Sequence, residues 1–193
     1  MAILTIVSGS PGSGKTTLCS RLAKSVPHGL HIPSDHFYAF PGKPINPTLP
    51  ESRAQNSAII RALGACSAVF LESGYDVFLD GIVGPWFLPT LLKEIPRDFS
   101  VAYLLLTVTQ DEALERVRGR EGRGASDKVR ATRSALDASI EYENHKLETT
   151  NRDADAVFQQ VRERLSRGDF RLPGSRVSAA AKRSSGEADP SKS

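Results

Sequence analysis

Cysteine is scarce. Cys19 and Cys66 are the only two, they fall in different helical stretches, and neither forms a CxxC pair or a Cys/His metal spacing. That excludes a cysteine-ligated metal centre and leaves two buried or half-buried thiols. Long apolar runs are missing as well. None approaches the ~20 residues that span a bilayer, so no membrane partner is expected. The apolar start Met1-Ala2-Ile3-Leu4-Thr5-Ile6-Val7 has no basic segment and runs straight into glycine. It reads as a core strand, not a secretion signal, and the expected compartment is the cytoplasm. The body also lacks excess charge. Of 25 basic and 22 acidic residues, five and two lie in 171–193, which leaves twenty of each in 1–170. The pI near 9.0 therefore belongs to a short tail, and a neutral body argues against nucleic acid as a partner.

What remains is an ordinary globular composition, 39% apolar and 24% charged in 193 residues. Apolar runs predict strands at 2–8, 31–34, 77–80, 101–108 and 146–149. Helical spacing predicts helices at 15–25, 52–73, 111–119, 127–143 and 153–166. Gly74 suits the end of the long helix. Residues 40–50 hold Pro41, Gly42, Pro44, Pro47 and Pro50, a loop. The run 101–108 has almost no polar alternation, as in a parallel strand covered on both faces. Strand and helix patterns alternate about five times without repeats. The expected fold is α/β: a doubly wound, five-stranded parallel sheet with helices on both faces and right-handed crossovers. It occupies 1–170, followed by a disordered basic tail, 171–193.

Gly9-Ser10-Pro11-Gly12-Ser13-Gly14-Lys15-Thr16 fits G-x-x-x-x-G-K-[ST], between a strand and a helix. The glycines let successive amides turn inward toward phosphate oxygens, and the helix start adds positive potential. Lys15 can reach the β and γ phosphates, and the Thr16 hydroxyl can ligate Mg²⁺. Asp80 ends the third strand, beside the loop, where a second magnesium-holding carboxylate is needed; otherwise it is a turn aspartate before Gly81. Asp35 follows the second strand at the same edge and can accept the proton of a substrate hydroxyl; otherwise it caps a helix.

Arg116, Arg118, Arg120 and Arg123 crowd a glycine-rich link. Arg116, Arg120 and Arg123 share one helical face. Such a segment, about 116–126, can close over a triphosphate, with Arg116 and Arg120 as the leading candidates to stabilise charge in transfer. The alternative is a solvated helix paired with Glu112, Glu115 and Glu121.

On Gly9–Thr17, Asp35-His36-Phe37-Tyr38, Asp80 and Arg116-x-x-x-Arg120, the chain resembles small P-loop kinases of the nucleoside-monophosphate-kinase-like group, over about residues 1–168. That group includes gluconate and shikimate kinases, chloramphenicol phosphotransferase and zeta-toxin kinases. Residues 50–56 and 80–89 look like those of uncharacterised bacterial members, often named only as ATPases or predicted kinases. The resemblance implies ATP as nucleotide, Thr17 within the nucleotide site, the acid after strand two as base or substrate ligand, and lid arginines on phosphates. Arg53, Gln55, Asn56, Tyr38 and Trp86 are candidates to line an acceptor pocket; helix surface for Arg53 and packing for Trp86 are the alternatives.

The expected activity is ATP-dependent phosphoryl transfer to a hydroxyl of a small molecule. A regulatory or switch-type ATPase is the competing reading. A GTPase would need Asn/Thr-Lys-x-Asp, and Asn144-His145-Lys146-Leu147 lacks the aspartate. Acceptor and oligomeric state stay open.

Overall fold

Apolar side chains crowd both faces of the strands, and that decides the architecture. The computed structural model describes residues 2–118, 132, 134, 136 and 140–174. Strands β1 (Ile3–Gly9), β2 (Gly29–Pro33), β3 (Asp76–Gly81), β4 (Ser100–Thr107) and β5 (Lys146–Glu148) form one sheet in the order β2-β3-β1-β4-β5. All four neighbouring pairs are parallel.

Period-two alternation splits the core in two. On one face Leu4, Ile6, Val77, Leu79, Val101, Tyr103 and Leu105 meet α3 (Arg53–Glu72), through Ile59, Ile60 and Leu63, and α4 (Leu88–Leu92). On the other face Val7, Phe78, Leu104 and Leu106 meet α1 (Lys15–Lys24), through Leu18 and Leu22, and α6 (Ala154–Arg167), through Val157 and Val161. Both faces are covered, so strands apolar throughout are stable here. Within the segment 50–72 an 18-residue stretch reaches a mean hydropathy of 1.2, long and apolar enough to cross a membrane. Its Ile60, Leu63 and Leu71 are instead packed in the core.

The connection from β1 runs over one face toward β2, while that from β3 runs over the other toward β4. A crevice therefore opens above the carboxyl ends of β1 and β3. Two shorter helices flank it, α2 (Ser34–Tyr38) and α5 (Gln110–Arg118).

Three expectations change. The second strand stops at Pro33, and Ser34 opens α2 instead of ending the strand. Proline interrupts the supply of ladder N–H groups and tolerates the start of a helix. Of the helix expected at 127–143, the described end is a 3₁₀ turn, Ile140–His145, in which Tyr142 leaves helical geometry at φ −109° and ψ 24°. Tertiary contacts compete there: the Tyr142 ring packs edge-on against Tyr103, and His145 Nδ1 lies 2.8 Å from Tyr103 O. Finally, Arg171 and Leu172 lie on the folded side of the boundary placed at 170. Arg171 bridges Ala102 in antiparallel fashion, and Leu172 N donates to Val101 O at 2.9 Å. This covers the part of β4 that short β5 leaves open. The tail expected beyond, 175–193, lies outside the described residues.

Candidate active site

The phosphate loop is built by close approach. Gly12 has φ +81°, and a Cβ there would lie 2.7 Å from Ala113 O of α5. Gly14, in left-handed geometry at φ +91°, caps the start of α1. Ser13 N donates to Ser10 O at 3.2 Å. Lys15 Nζ reaches back to donate to Ser10 O at 2.9 Å, so its ammonium lies across the loop.

Asp80 stands one strand away, opposite Val7, and is 4% exposed. Its Oδ2 accepts from Thr16 Oγ1 at 2.6 Å. Its Oδ1 lies 2.8 Å from His31 Nε2. A carboxylate oxygen accepts, which makes Nε2 the protonated nitrogen. Thr16 and Asp80 thus present a hydroxyl and a carboxylate oxygen side by side, the hard donors magnesium takes while keeping most of its water. Among the described residues no group of three His, Cys, Asp or Glu could hold a metal.

Thr16 and Asp80 line a cavity of about 410 Å³ together with the rest of Pro11 to Thr17, Asp35 and Arg116. Asp35 comes from the first turn of α2. Arg116 comes from α5: Nη1 donates to Gly12 O at 3.2 Å, and Nη2 pairs with Glu112. Glu112 Oε2 also accepts from Asn151 N at 2.8 Å. The arginine and its partner therefore tie α5 both to the phosphate loop and to the segment after β5.

Gly9 and Ser10 belong to the loop but not to the cavity wall. Arg120 lies outside the described residues. Tyr38, Arg53 and Trp86 are not brought to the cavity. Tyr38 packs against the core face that holds α3; burial, and then the charge of Asp35, push its phenol up. Arg53 is exposed at the start of α3. Trp86 is 48% exposed and stands over Gly84, whose missing Cβ leaves room for the indole. Gln55 and Asn56 hold the proline-rich loop instead: Gln55 bonds both N and O of Ile45 at 2.8 Å, and Asn56 Nδ2 donates to Pro47 O at 2.9 Å.

Sequence reasoning missed His31, and also Arg21, Thr149 and Arg152 on the cavity wall. Thr149 and Arg152 follow β5, so the rule that ligands gather at carboxyl strand ends could have found them. Cys19 is buried below the site. Burial above all, with Asp80 adding and Lys15 opposing, pushes its thiol well up, away from the thiolate form that reacts.

Residues 6–150 match the AAA domain family. The chain belongs to that family. No curated protein matches it. Among solved structures, a sugar kinase from Janibacter sp. HTCC2649 is similar at TM-score 0.66 and 19% identity, over 86% of this chain and 95% of that one. A gluconokinase from Sinorhizobium meliloti 1021 is similar at TM-score 0.65 and 16% identity, over 86% and 93%. Shikimate kinase from Acinetobacter baumannii is similar at TM-score 0.59 and 18% identity, over 87% and 95%. This family member thus has the fold of small P-loop kinases.

Proposed function

We propose that the protein transfers the γ-phosphoryl group of ATP to a hydroxyl of a small molecule. One observation carries the reading: the Thr16–Asp80 oxygen pair, at 2.6 Å, shares a cavity with Lys15 and with the second carboxylate, Asp35. Loop amides, the start of α1 and Lys15 would bind the triphosphate. Thr16 and Asp80 would hold Mg²⁺, which when bound offsets phosphate charge. Asp35 would accept the proton of the attacking hydroxyl. Arg116 brings a guanidinium to the same wall, and Arg120 would act with it on phosphate. The sugar, gluconate and shikimate kinases that share the fold support a hydroxylated metabolite as acceptor.

The test is a screen of hydroxyl-bearing metabolites and antibiotics for acceptor-dependent ADP release. Asp35→Asn should lower acceptor-dependent turnover by about 100-fold or more while nucleotide binding persists. Undiminished turnover would remove Asp35 as base. ATP hydrolysis that no acceptor stimulates would favour a switch-type ATPase.

A further inference from the structure

The geometry points to His31 as a positioning residue, one that holds the Asp80 carboxylate in register with Thr16. The inference rests on the reading of this site as one for metal-bound nucleotide. Strand register supplies the reason. His31 of β2 stands opposite Phe78 of β3, and Pro33 stands opposite Asp80. His31 is therefore the diagonal neighbour of Asp80, on the sheet face that receives α1 and its Thr16. A diagonal pair is within reach only of a long or ring-bearing side chain, and the imidazole spans the gap.

Asp80 has no spare freedom to be held loosely. Its side chain is 5% exposed, so each carboxylate oxygen needs a partner within the protein. Thr16 Oγ1 takes Oδ2 at 2.6 Å and His31 Nε2 takes Oδ1 at 2.8 Å. With both bonds made, the carboxylate plane is fixed, and the edge near Thr16 keeps its orientation toward the cavity. Without the imidazole, Oδ1 loses its buried partner and the group is free to turn about its Cβ–Cγ bond, away from Thr16. Partners of this kind tune metal affinity without touching the metal.

The full-length chain is titrated with ATP, once with Mg²⁺ and once with EDTA, and its Tm is recorded. His31→Phe keeps ring bulk and removes the donor. It should lower the Mg²⁺-supported affinity by about tenfold or more and leave the affinity in EDTA unchanged. His31→Gln places an amide nitrogen near the position of Nε2 and should recover most of the Mg²⁺-dependent gain. If His31→Phe gains as much from Mg²⁺ as the parent chain, the inference falls. It falls equally if His31→Gln restores Tm but not the Mg²⁺-dependent gain, since His31 is then only a structural neighbour. A parent chain that gains nothing from Mg²⁺ would instead remove the reading of the site, and this inference with it.

Discussion

Two glycines of the phosphate loop do different work. A methyl group added at Gly14 meets nothing within 4 Å, whereas one at Gly12 runs into the Ala113 carbonyl and the Val117 side chain. Both glycines have positive φ. Gly14→Ala should therefore cost only backbone strain, about 1–2 kcal/mol. Gly12→Ala should cost more, because α5 must retreat as well. At roughly 2–4 °C per kcal/mol for a domain of this size, calorimetry can separate the two; equal losses would mean that α5 does not press on the loop. The glycine spacing was legible in the sequence because it is local. Which glycine faces α5 was not, since Ala113 is a hundred residues away and packs there only in the folded chain.

At the level of elements, the end of β5 carries a pH-dependent knot. Glu148 accepts from Thr150 N at 2.9 Å and from Thr107 Oγ1 at 2.9 Å. Partial burial pushes its carboxyl up, but the hydrogen bonds from Thr150, Thr107 and Thr149 outweigh it and hold the group below its usual range. A carboxyl lowered on folding adds stability above its unfolded pKa, and that stability is lost as pH falls through the folded pKa. The Tm advantage of the parent chain over Glu148→Gln should thus be present at neutral pH and shrink below about pH 4.3. An advantage that is flat with pH would mean the threonines do not favour the charged form. The strands themselves were readable as short apolar runs covered on both faces. The α2 helix was not, because five residues carry too little periodicity, and the 3₁₀ turn Ile140–His145 packs its Tyr142 on Tyr103, a contact no local pattern announces.

For the whole molecule, ligand binding and folding are linked. If the cavity takes ATP·Mg²⁺, nucleotide at a hundred times its Kd stabilises the fold by about 2.7 kcal/mol. That corresponds to roughly 5–10 °C in Tm for this size. Lys15→Ala should abolish most of the shift while leaving the unliganded Tm within a few degrees, because Lys15 lines the cavity and is only half-buried. A shift of the same size in Lys15→Ala would place the nucleotide elsewhere.

The sequence alone determined the phosphate loop, the number and parallel character of the strands, and the carboxyl-edge positions of Asp35 and Asp80. Each depends on spacing over a few residues, which periodicity and backbone sterics make readable. Only tertiary structure decided that Asp80 is shared between Thr16 and His31, that Arg116 fastens α5 to Gly12, and that Thr149 leans on Ser13. Those contacts join residues 64, 49, 104 and 136 positions apart. Strand order and register bring them together, and neither is written in any local pattern of side chains.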